Sequence, residues 1–453
     1  MKKSSFILFS LLCAAAVFSQ PEKWTPLFNG KNLNGWTQKG GKAAYAVERG
    51  AITGTSTPGT PNSFLCTEAE YGDFILELDL AVDDGLNSGI QIRSRTQEGV
   101  NNGNVFGWQV EVDPSPRAWS GGIYDEGRRD WLYIPEINPE GKKAFRRGGK
   151  WNHYRIEAIG NTVRTWINGV PVAFLADTLL EKGFIGLQVH AIGKPEEAGR
   201  KVRWRNIRIQ TGKQMRPRPW DDCPVVNFTL DSLCEQEKKQ GWRLLFNGKN
   251  LSGWRSAFKT EAPAEGWTAQ NGVLKIQGTN GSESRSYGDI VTIDTFGAFE
   301  LCFDFQLTEG ANSGVKYFVN EQYDSKGGSA IGLEYQLLDD ERHPDARLGA
   351  AGNRTLASLY DLIPSYKPEK RFQRPVGAWN SGRIVVRPDN IVQHWLNGFK
   401  VVEYERGSNI YAALVARSKY AIWEGFGMAE SGPILLQDHG NTVFFKNIKI
   451  RKL

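Results

Sequence analysis

The sequence predicts an all-β protein made of two copies of one domain, each a β-sandwich or jelly roll. Three observations carry this expectation. One long segment recurs in order in the second half of the chain. The apolar segments are short and bounded by turns rich in Asn and in Gly, which contributes 50 of the 453 residues. No long stretch has the 3.6-residue period of an amphipathic helix.

The chain opens Met1-Lys2-Lys3, then runs apolar from Phe6 to Phe18, with small residues near Val17 and Ser19. This is the pattern of a secretory signal peptide, placed at 1–19. The run is shorter than the ~20 residues a spanning helix needs. Cys13 raises lipoprotein anchoring as a lesser alternative, because Ser10-Leu11-Leu12 fits a lipobox poorly. No later stretch has a transmembrane pattern. A periplasmic or secreted protein is expected.

The repeat begins with Leu27-Phe28-Asn29-Gly30-Lys31-Asn32-Leu33-Asn34-Gly35-Trp36, which returns as Leu245-Phe246-Asn247-Gly248-Lys249-Asn250-Leu251-Ser252-Gly253-Trp254. Asn87-Ser88-Gly89 then meets Asn312-Ser313-Gly314, and Tyr124-Asp125 meets Tyr360-Asp361. Trp151-Asn152 meets Trp379-Asn380, and Trp166-Ile167-Asn168-Gly169 meets Trp395-Leu396-Asn397-Gly398. Gln188-Val189-His190 meets Gln437-Asp438-His439, and Arg205-Asn206-Ile207 meets Lys446-Asn447-Ile448. Domains are expected at 20–211 and 241–453, with a linker at 212–240. Within each copy, Phe74–Leu80 and Phe299–Leu307 read as strands. Tyr154–Ala158 with Val163–Ile167, and Ile384–Arg387 with Ile391–Leu396, read as hairpins leading to Asn-Gly turns.

A formal charge of +6, with basic residues dispersed, gives no basic stripe and no nucleic-acid partner. Cys223 and Cys234 are candidates to pair in an oxidising compartment, whereas Cys66 and Cys302 read as small buried residues. No Gly-rich dinucleotide loop is present.

The LFNGKxLxGW opening, the NSG, the YD and WN pairs, and the QxH ending followed by a [KR]NI strand resemble the 3-keto-disaccharide hydrolase family over essentially all of both copies. The resemblance implies a concanavalin A-like jelly roll whose concave face binds carbohydrate. It implies export, and action on oligosaccharides or glycosides already oxidised to a ketone at carbon 3 by a separate nicotinamide-dependent sugar 3-dehydrogenase. A ketone there acidifies the proton on carbon 2. A base can remove it, and the enolate expels the group on carbon 1, so one base, donors for the enolate oxygen and an acid for the leaving group suffice.

His439 and His190 are the candidate bases, since imidazole titrates near neutrality. Gln437 and Gln188 stand two residues earlier, on the same strand face. Gln109 with Glu111, and Glu334 with Gln336, place an amide and a carboxylate on one face in swapped order, the carboxylates as acid or orienting partners. Tyr124, Tyr360, Asp125, Asp361, Asn87 and Asn312 are candidate sugar contacts, each weighed against a local turn role. Arg93 is a further candidate, not preserved at Phe318. Trp36 and Trp254 read as core, and Trp108, Trp119, Trp131 and Trp423 as candidate stacking platforms. Glu334, His343, Asp438 and His439 are ligand types a divalent metal would accept, though their spacing does not specify one. The second copy carries the fuller family pattern, with Asp339-Asp340-Glu341-Arg342-His343-Pro344-Asp345 and Gln437-Asp438-His439-Gly440, and is favoured as the working copy. Two rivals remain: a lectin-like binder, and a conventional glycosidase using Glu111 and Asp113, which lacks a matching pair at Gln336 and Leu338.

Overall fold

A computed structural model describes residues 23–279, 287–323 and 330–453. The signal-peptide segment 1–19 and Cys13 lie outside the described residues. Each copy is a concanavalin A-like sandwich of two antiparallel sheets. The front sheet of the first copy runs Asp130–Tyr133, Ile123–Glu126, Val105–Val112, Ser88–Thr96, Phe184–Val189, Ser63–Thr67, Trp36–Gly40. That of the second runs Ile331–Leu338, Asn312–Asn320, Leu435–Leu436, Ile290–Thr292, Trp254–Ser256, the same order without the edge hairpin. The back sheets centre on Phe74–Val82 and Phe299–Leu307.

Strand alternation builds the two cores. Leu76, Leu78 and Leu80 point inward and are fully buried, as are Ile90, Ile92, Trp108 and Val110 from the facing sheet. In the second copy Leu301, Phe303 and Phe305 meet Val315, Tyr317, Leu333 and Tyr335. His394 belongs to this core. Its Nδ1–H donates to the Ala357 carbonyl (3.1 Å) and its Nε2 accepts from Tyr317 (2.8 Å). Burial pushes its pKa down to about 4, so it stays neutral.

The repeated decapeptide is a fold element. Asn29 Oδ1 accepts from the backbone N–H groups of Lys31 and Asn32, Gly30 takes φ +75°, and the Trp36 indole donates to the Leu27 carbonyl at 2.9 Å. Asn247, Gly248 and Trp254 repeat each feature. A positive φ explains glycine at that turn.

Residues 212–240 are built into both sandwiches. The carbonyls of Arg216 and Arg218 accept from Arg155 and Arg164, and Val225–Asn227 pairs in parallel with Val170–Ala176. The helix Glu235–Lys239 places Glu237 against the buried Lys449 of the second copy. Trp119 reaches across to Phe399, with ring centroids 5.8 Å apart. Cys223 and Cys234 are both free thiols, and the disulfide considered from the sequence is not formed. Cys223 instead meets the Tyr133 hydroxyl and the Asn138 amide. Among the described residues no helix is long and apolar enough to cross a membrane.

Candidate active site

On the front sheet of the second copy, Gly314 pairs with Gln336 and Lys316 with Glu334, while Val315, Tyr317 and Tyr335 take the inward positions. Asn312, Lys316, Glu334 and Gln336 therefore share the outward face. The next strand delivers Gln437 and His439. It is locked in place by Ser313 Oγ donating to the Gln437 carbonyl (2.9 Å) and Gln437 N–H donating to the Gly314 carbonyl (3.0 Å). Asn312 Nδ2 lies 3.5 Å from His439 Nε2, and Lys316 Nζ lies 4.0 Å from Glu334 Oε2. With its NH2 turned inward, the Gln336 amide donates to Glu334 Oε1 at 3.1 Å.

The NSG motif is thereby explained residue by residue. Asn312 reaches the imidazole, Ser313 fastens two strands, and Gly314 leaves room for a carboxylate. A Cβ on Gly314 would stand 2.3 Å from Glu334 Oε1. The motif opens a strand rather than forming the tight turn that was the other reading.

The segment after this strand roofs the face. Arg354 binds Asp345 (2.9 Å) and Asp361 (2.7 Å), and Tyr360 donates to Asp345 (2.8 Å). Asp361 also accepts from the Lys419 backbone (2.9 Å), which sets the exposed Lys419 ammonium 4.2 Å over the Tyr360 ring, within electrostatic reach of Glu334. His343 stands edge-on to His439, with centroids 6.3 Å apart. Lys316 and Lys419 are the two functional candidates that the sequence reading did not single out.

The two aspartates of the acidic run before His343 are fasteners. Asp339 accepts from the N–H groups of Gly310 and Glu341, and Asp340 from Leu356 and Lys367. Asp438 likewise accepts from Tyr287, Gly288 and Gly440. The ligand set of Glu334, His343, Asp438 and His439 does not converge. Among the described residues no group of three or more His, Cys, Asp or Glu side chains is placed to hold a metal ion.

The first copy has the same scaffold with different chemistry. Gly89 pairs with Glu111 and Gln91 with Gln109, so Gln91 stands where the second copy has Lys316, and Gln109 where it has Glu334. Glu111, paired with Gly89, is the counterpart of Gln336, which pairs with Gly314, and not of Glu334. It accepts from Asn87 (2.5 Å) and Gln109 (3.1 Å), with Arg117 3.5 Å away. Gln188 is fully buried, and His190 Nδ1–H donates to the Ala191 carbonyl (2.6 Å). Tyr124 donates to Asp130.

The structure corrects the expectation for several sequence candidates. Asp125 is fully buried and ion-paired with Arg128 and Arg129 (2.6 Å each), so it holds a turn and not a sugar. Arg93 is buried too, donating to the carbonyls of Gly72, Gly160 and Leu180. Trp108 is core, and Trp119 lies in the inter-domain joint with Trp131 edge-on against it (4.7 Å). Asp361 positions Arg354 and Lys419 instead of facing a ligand. Trp423 is half-buried and packed on Tyr420, and Trp131 is half-buried in the inter-domain joint.

Burial pushes the Glu111 pKa up to about 7. The folded chain then binds a proton here that the unfolded chain releases, between the ordinary carboxylate range and about 7. Stability from this group is therefore greatest below that window and falls as pH rises through it, by on the order of 3 kcal/mol. Glu111→Gln is expected to flatten the decline in unfolding free energy between about pH 5 and pH 8. Denaturant titrations at both pH values check this, and an unchanged slope contradicts it.

Comparison with known proteins follows the duplication. Residues 23–210 and 241–451 each match the family model of the 3-keto-alpha-glucoside-1,2-lyase-like domain. A 3-keto-disaccharide hydrolase of Bacteroides thetaiotaomicron is 33% identical over 244 residues, covering 49% of this chain and 82% of that protein. A Parabacteroides distasonis structure assigned as a glycosyl hydrolase is 30% identical with a TM-score of 0.42, covering 50% of this chain and 100% of its own. The carbohydrate-binding module CBM66 of Bacillus subtilis is 18% identical with a TM-score of 0.29, covering 40% of this chain and 98% of its own. With both sandwiches matched almost from end to end, the chain belongs to the 3-keto-alpha-glucoside-1,2-lyase-like family, in tandem form.

Proposed function

We propose that the second copy cleaves glycosides carrying a ketone at carbon 3, and that the first copy does not turn them over. The observation that carries this reading is the asymmetry of the two front faces. Lys316, Glu334, Lys419 and His439 gather ionisable groups in the second copy, whereas amides stand at the register positions of Lys316 and Glu334 in the first.

In this reading His439 removes the proton on carbon 2. The electrons of that C–H bond form the enolate of the carbon 3 ketone, whose oxygen is stabilised by the ammonium groups of Lys316 and Lys419. The enolate then reforms the ketone, a double bond forms between carbons 1 and 2, and the carbon 1–oxygen bond breaks. The departing oxygen takes a proton, with Glu334 as acid or orienting partner. Addition of water across the double bond completes a net hydrolysis, and without it the reaction is that of a lyase. Gln437, Asn312 and Gln336 hold hydroxyls. The ketone comes from a separate nicotinamide-dependent sugar 3-dehydrogenase, and the chain acts outside the cytoplasm. The hydrolase relative from Bacteroides thetaiotaomicron supports a glycoside substrate.

The conventional-glycosidase reading is weaker. Asp113 is tied to Arg117 at 2.8 Å, and the second copy has Gln336 and Leu338 at the matching positions. The test is turnover of an aryl glucoside against its 3-keto derivative. Release of the aryl group from the keto form alone is expected. Turnover of the unmodified glucoside would favour the glycosidase, and binding without turnover of either would favour the lectin-like alternative.

A further inference from the structure

A cavity of about 470 Å³ lies between the two sandwiches, over the outer face of the second copy's back sheet. Its floor includes Cys302, Asp304 and Ser381, and its walls include Trp131 and Ile134 of the first copy and Trp242 at the start of the second. Cys302 and Asp304 sit deep between the domains yet keep part of their surface open, because the cavity stands in front of them.

The first copy is an internal control for this floor. There His153 pairs with Asp79 and Arg155 with Glu77 across neighbouring strands. In the second copy Ser381 pairs with Asp304 and Arg383 with Cys302. The first copy closes its face with ion pairs: His153 to Asp79 at 3.0 Å, and Arg155 and Arg208 to Glu77 at 2.7 and 2.6 Å. The second copy has a thiol in place of that glutamate and a hydroxyl in place of that imidazole. Both side chains are shorter, and the face opens where the other domain covers it.

The groups left at the cavity are of both signs. Asp304 keeps the Asn447 amide (2.7 Å), and Arg383 turns to Glu300 (2.7 Å). Arg374 donates to the Trp379 carbonyl (3.0 Å), and Lys446 lies 4.2 Å over the Trp379 ring; neither has a carboxylate within 4.0 Å among the described residues. A cationic ligand would meet Arg374 and Lys446, and an anionic one would meet Asp304, while Glu300 is already neutralised by Arg383 and Arg451. A neutral polyol satisfies both, because each hydroxyl donates to a carboxylate and accepts from a cation. Its C–H face would pack on the apolar wall of Trp131 and Ile134. The size lies within the roughly 300–1,000 Å³ of small-ligand sites.

We propose that this inter-domain cavity binds a short neutral saccharide, forming a second carbohydrate site that exists only because the domain is duplicated. It is on the opposite sheet from the proposed active site and stands or falls independently of it. The test is calorimetric titration of the full chain with unoxidised cellobiose and maltose, with glucuronate as the anionic probe. Saturable binding of a disaccharide is expected, weakened about tenfold or more by Cys302→Glu and by Ser381→His, which restore the first copy's residues. Lys446→Ala, a milder change, should weaken it too, with melting temperature and 3-keto-glucoside turnover unchanged. Failure of both disaccharides to bind overturns the proposal. So does binding that survives all three variants, binding removed only by His439→Ala, or tighter binding of glucuronate.

Discussion

Replacing His439 with alanine is expected to lower kcat/KM for a 3-keto aryl glucoside by about 10³-fold, the scale of a lost general base. The same change at His190 is expected to leave it near the wild-type value. The two histidines occupy the same repeat position, so the contrast isolates their surroundings. His439 faces Asn312 and His343 on a sheet that also carries Lys316 and Glu334. His190 gives its Nδ1–H to the adjacent carbonyl and lies on a sheet where Gln91 and Gln109 replace that ion pair. Steady-state rates with purified variants decide the matter. Equal losses from both substitutions would mean that both copies work, and no loss from either would make the histidines structural.

The second large effect is expected from a residue with no side chain. Gly314→Ala places a methyl group 2.3 Å from Glu334 Oε1 and 2.9 Å from its Cδ. The neighbour is the end of a flexible side chain, so the chain should still fold, losing about 1–3 kcal/mol. The carboxylate must move, however, and a displacement of that size at a reacting group costs about 10²-fold in kcat. Gly89→Ala is the control. Its methyl group would meet Gln109 Cδ at 2.2 Å, with the same steric problem in the first copy and no expected effect on turnover. Thermal melts of both variants, set beside their rates, separate a stability loss from a positional one. A Gly314→Ala enzyme with wild-type kcat would remove Glu334 from the mechanism.

The fold was legible because it is written locally and twice. The Asn-Gly turns and the indole-to-carbonyl hydrogen bond of the decapeptide are short-range devices, and strand alternation marks which face is core. The site was legible only where the copies agree. Asn312, Gln437 and His439 recur as Asn87, Gln188 and His190, which drew attention to them. Lys316 falls where the first copy has Gln91, and Lys419 follows a helix, Asn409–Ala416, that has no counterpart in the first copy. Differences between the copies were therefore the informative signal at those positions. Asp125 misled for the opposite reason. It repeats as Asp361, but repetition recorded a shared task of holding an arginine, which a sequence does not distinguish from holding a sugar.

The connector has a consequence for separating the halves. It contributes a strand to the first sandwich and the counter-ion of Lys449 to the second. A second half beginning at residue 241 would lose the carboxylate that partners Lys449 together with the helix that carries it. A first half ending at residue 211 would leave a sheet edge open and would take the carbonyls of Arg216 and Arg218 from Arg155 and Arg164, which keep Glu77 and Glu157. Neither piece is a faithful sample of the intact protein, and the seam between them belongs to both.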